Sequence, residues 1–465
     1  MKNSLLNLLI VGIINLTVFL FLFFSFQHYT IYNHSLGLIS KNYERTGDWN
    51  NPEIKKISKP YTKITNENFE TWDASIYKCI KENMYKNTGC YSNVSGAFFP
   101  LFPIIWKLLA VNSIGISIFN YLLFITSIAL LINYLSSLSG LENILIYCIL
   151  ITLPSTIIYY IPYTESFFLF FMTIWLIGVV KKKYWISFIA LTLLAMVRPA
   201  TIFILFALLA VEFIALFSHK NFKLFIKESF LKLFPFVIGF FFSFLIQFTY
   251  SSKWTKFFEA QKYWNSGFHP INTVSDWSVE GFGLNVFSIC FICLPALIFA
   301  SYTLIKSSKL GDDKNNVLKE VNHLPYLLSV SSYYFIGIFV FTMLTSGGNM
   351  HSLFRFIMAS PPFYIAVIIL LNSLNFYKVK NTILYLIVPI IFLLLFLLKS
   401  AYGGNRFDFS FLGLYLSVLI YLFLWLRPNL QIYTQIIIAG GIILLNIIWN
   451  TYMLNMFFCN GWIFT

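Results

Sequence analysis

Hydrophobic runs of about 18 residues or more recur along this chain, and they constrain its fold more than any other feature. An α-helix needs about 20 apolar residues to cross a hydrocarbon core roughly 30 Å thick. Only 11% of the 465 residues are charged, whereas soluble domains carry roughly 25%. Backbone polar groups in lipid must be satisfied within their own helix, so each run is expected to be helical. The sequence therefore predicts an all-α integral membrane protein.

Hydropathy divides the chain into about 13 spans, which we expect to form a single polytopic membrane domain over residues 1–465. The first span, Leu5 to Phe26, is too long for the apolar region of a signal peptide and lacks a small-residue cleavage site, so we expect it to remain in the protein. The predicted spans begin near Leu5, Ser117, Asn143, Glu165, Tyr184, Pro199, Phe230, Leu284, Leu324, Leu353, Thr382, Phe409 and Ile432.

Lysine placement predicts the orientation of the spans. If Lys2 is cytoplasmic and the spans alternate, most basic residues of short loops fall on the cytoplasmic side, as the positive-inside rule requires. The net charge of +14 is then explained by topology, and no nucleic-acid partner is predicted. Two long loops are expected outside the cytoplasm, at residues 27–116 and 252–283. The cytoplasmic set comprises Lys181, Lys182, Lys183, Lys220, Lys223, Lys227, Lys306, Lys309, Lys314, Lys319, Lys378, Lys380 and Arg427.

The first long loop contains Asp73, an acidic residue close to the membrane surface. Between Asn66 and Tyr85, apolar residues recur at helical spacing, which predicts an amphipathic helix along the interface with Asp73 beside its apolar stripe. Residues 97–110 are too few to span a bilayer, and their prolines suit a helix start, so we expect a second interfacial or re-entrant helix. Together the two helices would form a shelf over the bundle. Cys79 and Cys90 share this loop and are candidates for a disulfide.

The second long loop alternates aromatic and amide side chains, including Gln261 and Trp264. Such side chains commonly line sugar sites, but aromatic residues also concentrate at any membrane interface, and the sequence leaves both interpretations open. Cys290 and Cys293 have the spacing of a metal or redox pair. They lie inside an apolar span without a second pair or a histidine cluster, so we interpret them as packing residues.

Three ionisable residues at span edges map to the same side as Asp73: Glu165, Arg198 and Arg355. Ionisable groups in membrane segments are costly and are candidates for function. Arginines there suit a phosphate, which they bind through paired N–H groups. The alternative is a structural Glu–Arg pair or side chains that reach toward water. His351 lies near Arg355, where a histidine also serves as a helix cap. No metal-ligand spacing is present, and we predict neither a metal nor a cofactor.

An ordered set of motifs resembles the PIG-V-like mannosyltransferases over most of the chain. These motifs are Trp72-Asp73, the run from Ala97 to Pro103, Tyr163-Thr-Glu-Ser166, Arg198-Pro199, the run from Gln261 to Gly267, and Arg355 with Pro361. The resemblance implies a C-type (GT-C) membrane glycosyltransferase, with a GT-C-like helical bundle. Such enzymes take a sugar from a polyprenyl-phosphate carrier on the extra-cytoplasmic face and invert the anomeric centre.

By that resemblance, Asp73 would be the catalytic base or a carboxylate that positions the acceptor. Arg198 or Arg355 would bind the carrier phosphate, and Gln261 and Trp264 would contact sugar or acceptor. Trp72, Glu165 and His351 complete the predicted substrate-binding set. Many C-type enzymes have two close acidic residues in the first outer loop, whereas here Thr-Trp separates Glu70 from Asp73. This departure also argues against a carboxylate-bound metal.

The predicted partners are a polyprenyl-phosphate-sugar donor, a lipid-linked or glycan acceptor, and membrane lipids. The corresponding location is the plasma membrane of a bacterium or the endoplasmic reticulum of a eukaryote, with a cytoplasmic N-terminus. The rival hypotheses are a C-type transferase of other specificity, a lipid or sugar transporter, and a membrane scaffold. A transporter would be expected to have broken helices, ionisable groups near the bilayer midplane and an internal repeat. No such repeat is visible in the sequence.

Overall fold

The computed structural model of the chain is helical throughout the residues it describes, which are 2–28, 64–86, 94–138, 140–219, 221–263, 267–271, 274–275, 281–309, 323–374 and 412–458. These residues contain no strand beyond one isolated bridge between Ser275 and Asn349. The prediction of an all-α fold is confirmed for this part of the chain.

The helices are α1 Lys2–His28, α2 Asp73–Asn83, α3 Leu101–Leu109, α4 Ser113–Leu135, α5 Gly140–Thr152, α6 Glu165–Val180, α7 Tyr184–Ala195, α8 Ile202–His219, α9 Phe222–Ser251, α10 Lys256–Tyr263, α11 Phe282–Phe287, α12 Leu294–Lys309, α13 His323–Thr345, α14 Leu353–Ile357, α15 Pro361–Leu374, α16 Leu412–Leu426 and α17 Ile432–Phe458. A π-helical stretch, Ser288–Cys293, joins α11 to α12 into one longer helix.

Among the described residues, eight helices are long and apolar enough to cross a membrane, and they are compatible with a multi-pass membrane protein. The predicted count of about 13 spans is therefore not confirmed. Helices α5, α6, α7 and α15 are apolar but shorter. The span predicted from Thr382 lies outside the described residues. The eight long segments are Leu5–Ser25, Ser113–Leu135, Pro199–Leu216, Phe222–Ser251, Phe282–Ile305, Pro325–Thr345, Leu412–Asn429 and Ile432–Phe458.

Asp73 and Asn372 lie at opposite ends of the helical bundle. At the Asp73 end, the Phe458 ring of α17 lies 4.8 Å from Phe69 and 5.7 Å from Phe23 of α1, measured between ring centroids. At the opposite end, the Asn372 Oδ1 atom accepts a hydrogen bond of 3.0 Å from the Ser137 backbone N–H, beyond the end of α4. Long helices thus run between the two ends, and the loops at the Asp73 end meet one another.

Helix α2 begins at Asp73, later than the predicted start near Asn66, and only a short 3-10 turn, Glu67–Phe69, precedes it. Its apolar stripe packs against protein, because Ile76 and Ile80 are buried and Tyr77 lies between the rings of Phe98 and Phe102 at 5.0 Å from each. The helix is therefore fixed to the bundle by its apolar face. Cys79, on the same helix, is disulfide-bonded. Its candidate partner, Cys90, lies outside the described residues.

Residues 153–164, between α5 and α6, are buried although they form no α-helix. Irregular backbone inside a membrane protein needs partners for its carbonyl groups, since the interior supplies no water. Asn120 of α4 provides two such bonds, and its Nδ2 atom donates to the carbonyl oxygens of Ile161 at 2.7 Å and Tyr163 at 2.9 Å. This amide holds the chain in the conformation that leads into Glu165.

Helix α17 supports the beginning of the same segment. The Asn450 amide donates to the carbonyl oxygens of Thr152 and Leu153 at 2.9 and 3.1 Å, and the Trp449 indole donates to that of Pro154 at 3.1 Å. These side chains replace the helical hydrogen bonds that end with α5. Two helices far apart in the chain therefore determine the path of residues 153–164.

Substitution of Asn120 by alanine is expected to destabilise the bundle by about 1–3 kcal/mol, because it leaves the buried Tyr163 carbonyl group without its partner. The Ile161 carbonyl keeps the hydrogen bond of 2.8 Å from the Tyr163 backbone N–H. The midpoint of thermal unfolding in detergent measures the loss. Asn133→Ala is the control, since Asn133 lies on the same helix, is half-buried and makes no hydrogen bond within the described residues. Equal midpoints for the two variants would contradict this account of the segment.

Candidate functional site

Asp73 is placed by an unusual backbone conformation. The residue before it, Trp72, has φ of 52°, a region that side chains other than glycine rarely adopt. Such strain costs on the order of 1–3 kcal/mol and is found most often at functional sites. The turn presents the Asp73 carboxylate as the first residue of α2, where Oδ2 accepts a hydrogen bond of 2.9 Å from Nη1 of Arg355. Trp72 itself is half-buried beside it.

Glu165 lies at the first position of α6, and its side chain is 0% exposed. One of its oxygens, Oε1, accepts from Nη1 of Arg198 at 2.7 Å and from Nε of Arg355 at 2.8 Å. The start of a helix favours a carboxylate, because unsatisfied backbone N–H groups point outward there. The other oxygen, Oε2, is buried and has no hydrogen-bond partner within the described residues. Glu165 thus joins both arginines and has one acceptor oxygen to spare.

The two arginines enter from separate turns. Arg198 is in extended conformation before Pro199, and Arg355 lies on α14, three residues after Ser352, whose φ is 61°. Both arginine side chains are only 10% exposed. Four side chains, Asp73, Arg355, Glu165 and Arg198, therefore form one continuous chain of ion pairs, which we call the charge chain.

Aromatic rings enclose the charge chain. The Arg355 guanidinium lies 4.8 Å above the Tyr163 ring, and that of Arg198 lies 5.3 Å from Phe356 and 5.8 Å from Phe168. Arginine binds favourably to the face of an aromatic ring, more so when water is excluded. These rings were not among the site residues predicted from the sequence. Tyr163 belongs to the motif Tyr163-Thr-Glu-Ser166, but 20% of the chain is aromatic, so an individual aromatic contact cannot be predicted from composition.

The charge chain is neutral in sum, with two carboxylates and two guanidinium groups. Burial by itself lowers the pKa of Arg355, but the carboxylates of Glu165 and Asp73 outweigh that effect and hold the pKa above its ordinary value. Burial, and secondly the Asp73 charge, raises the pKa of Tyr77 well above its usual range. Arg355 is therefore a permanent cation, and the Tyr77 hydroxyl stays protonated.

Glu70 does not belong to the charge chain, although it is three residues from Asp73. Its carboxylate accepts from Lys78 Nζ at 2.7 Å and from Ser113 Oγ at 2.5 Å. The two neighbouring acidic residues therefore serve different partners and do not converge on one point. No group of three His, Cys, Asp or Glu residues in the described part of the chain is arranged to hold a metal ion.

The remaining predicted site residues lie on two other segments. Gln261 is half-buried on α10, which packs against Ser95–Ala97, and no described contact links it to the charge chain. Gly96 permits this packing, since a Cβ atom there would lie 2.3 Å from the Lys256 carbonyl oxygen. Trp264 lies outside the described residues.

His351 lies in the turn before α14, four residues from Arg355, and is half-buried. Its backbone N–H donates to Asn349 Oδ1 at 2.9 Å. The bridge between Ser275 and Asn349 joins this turn to the second long loop. The structure thus brings Asp73, Glu165, Arg198 and Arg355 together, with Trp72 and His351 in the segments that carry them.

Comparison of the chain with protein-family models, with curated proteins and with solved structures found no match.

Loss of Glu165 is expected to be the most damaging change in the charge chain. Glu165→Gln leaves two buried guanidinium groups without their shared carboxylate, and breaking a buried pair in this way costs about 3–5 kcal/mol. Asp73→Asn should cost less, because Asp73 is 13% exposed and, among the described residues, accepts from a single arginine. Thermal unfolding of the purified variants tests the order, with Glu70→Gln as a neighbouring carboxylate outside the chain. Equal losses at positions 165 and 73 would contradict the ranking.

Proposed function

We propose that this chain is an integral-membrane glycosyltransferase that moves a hexose from a polyprenyl-phosphate-sugar donor to a lipid-linked or glycan acceptor. Mannose is the first sugar to test, in line with the resemblance to PIG-V-like mannosyltransferases. The reaction takes place on the extra-cytoplasmic face and inverts the anomeric centre. The Asp73 end of the bundle is then the extra-cytoplasmic end.

The observation that carries this proposal is the partly accessible Asp73 carboxylate, held beside two buried arginines at one end of an apolar bundle. A hydroxyl acceptor is a weak nucleophile, and a carboxylate within hydrogen-bond reach takes its proton as the new bond forms. Asp73 is the most exposed member of the charge chain and is the one that an acceptor reaches. It is therefore the proposed catalytic base.

The leaving group determines the role of the arginines. A polyprenyl phosphate departs without protonation provided that its growing charge is stabilised, so the acid carboxylate of a glycosidase is not needed. Guanidinium groups fixed in advance by a buried carboxylate and aromatic rings supply that stabilisation without reorganising during the reaction. Arg198 and Arg355 are the proposed phosphate ligands.

Glu165 acts differently from the other predicted substrate-binding residues. Because its side chain is fully buried and holds both arginines, it serves the substrate through them. Trp72, Gln261, Trp264 and His351 remain the proposed contacts to sugar or acceptor. Trp72 directly precedes Asp73 in the chain, and His351 lies in the turn before α14, which carries Arg355.

A transporter of lipid or sugar is a second candidate, favoured by one observation. Residues 153–164 interrupt the helical path between α5 and α6 and end at a buried acidic residue, and transporters place ionisable groups at such breaks. The charge chain, however, lies at the loops of one end of the bundle, whereas a transport site is expected near the midplane.

A transfer assay tests the proposal. Membranes that contain wild type, Asp73→Asn or Glu70→Gln are supplied with radiolabelled polyprenyl-phosphate-mannose, and label in a new lipid or glycan product is counted. We expect transfer with wild type and Glu70→Gln, and a loss of roughly 100-fold or more with Asp73→Asn, since that is the usual contribution of a general base.

Three other results would change the assignment. Full transfer by Asp73→Asn would remove Asp73 from the mechanism while keeping the enzyme class. Transfer of a different sugar by wild type would keep the mechanism and replace mannose. No transfer of any sugar, together with movement of labelled lipid across reconstituted vesicles, would establish the transporter instead.

A further inference from the structure

Arg355 is shared between two carboxylates that differ in accessibility. Its Nε atom binds Oε1 of Glu165, which is fully buried, and its Nη1 atom binds Oδ2 of Asp73, which is 13% exposed. An ion pair is stronger where water is excluded, because the effective dielectric constant is lower there. The bond to Glu165 is therefore the more persistent of the two, and the bond to Asp73 is the one that an incoming group can replace.

Glu165 also restricts how far Arg355 can move. With Nε held by Glu165, and with the Tyr163 ring 4.8 Å below the guanidinium, the end that carries Nη1 can change partner without loss of the buried pair. Arg198 is bound to the same Glu165 oxygen, so both cations are anchored at one point. The arrangement allows exchange at the Asp73 end while the bond to Glu165 is kept.

The charges of the proposed reaction make such an exchange useful. A polyprenyl-phosphate sugar is a phosphodiester with one negative charge, and after transfer the free phosphate carries a second. Asp73 loses its own charge in the same step if it takes the proton of the acceptor. Negative charge thus leaves one partner of Arg355 as it grows on the donor phosphate.

We propose that Arg355 passes from Asp73 to the leaving phosphate during the reaction, while Glu165 holds it in place as a positioning residue. This inference rests on the proposed transferase function. The acceptor oxygen forms its bond to the anomeric carbon, and the acceptor proton goes to Asp73. The bond between the anomeric carbon and the phosphate oxygen breaks, and its electron pair stays on the phosphate. Proton uptake by Asp73 releases Nη1 of Arg355 for that new charge.

Binding of the product phosphate tests this exchange without any need for turnover. A short-chain polyprenyl phosphate is titrated into purified protein in detergent, and tryptophan fluorescence reports the dissociation constant. Asp73→Asn mimics the protonated base, so the variant should bind the phosphate about 5–10-fold more tightly than wild type. Glu70→Gln removes a neighbouring carboxylate that does not touch Arg355 and should change the affinity less than twofold.

The same substitution at Asp73, made in an Arg355→Lys variant, separates two explanations of tighter binding: exchange of Arg355 between partners, and loss of repulsion between the Asp73 carboxylate and the phosphate. Arg355→Lys keeps the positive charge beside Glu165, but one ammonium group replaces the two separate nitrogens of the guanidinium. In that background, the substitution at Asp73 should improve affinity less than twofold. A gain of the same size in both backgrounds, or no gain with Arg355 present, would overturn the proposal.

Two further measurements keep the outcomes distinct. Asp73→Ser replaces Asp73→Asn if the latter elutes as an aggregate, and it should show the same gain in affinity. Transfer by wild type without the gain would refute the exchange alone. The gain without any sugar transfer would refute the transferase and leave a phosphate site in which Asp73 competes for Arg355.

Discussion

The buried carboxylate of Glu165 is the interaction on which the rest of the site depends. A charge removed from water costs several kcal/mol unless partners surround it, and here two arginines from separate turns supply those partners. Both arginines bind the same oxygen of this carboxylate. Because Arg355 also binds Asp73, the buried Glu165 carboxylate helps to fix the position of the more accessible Asp73 carboxylate.

The charged side chains can meet because the segments that lead to them depart from regular α-helix. Residues 153–164 reach Glu165 without α-helix, and Trp72 and Ser352 have positive φ just before the segments that carry Asp73 and Arg355. Each departure turns a side chain toward the same point. Amide and indole groups of neighbouring helices satisfy the carbonyls that such departures expose, so the cost is spread over the bundle.

Much of this arrangement was predictable from the sequence. Charged residues are few in an apolar chain, and the alternation of spans predicts the side of the membrane on which each one lies. That logic placed Asp73, Glu165, Arg198 and Arg355 on one side, and the structure joins them. The sharing of one Glu165 oxygen was not predictable, since it depends on distances between segments 190 residues apart. The start of α2 was also predicted wrongly. The helical spacing of apolar residues begins at Phe69, but the positive φ of Trp72 breaks the helix there, so that α2 begins only at Asp73.

The bonds from α17 to residues 152–154 carry a consequence for biosynthesis. Asn450 follows its partner Thr152 by 298 positions in the chain. At about 5–20 residues per second, a ribosome completes this distance in roughly 15–60 s. During that interval α5 and α6 are already available for insertion, while the carbonyls of Thr152, Leu153 and Pro154 lack the α17 side chains that finally bond them. The segment that presents Glu165 is thus completed only after α17 has been made.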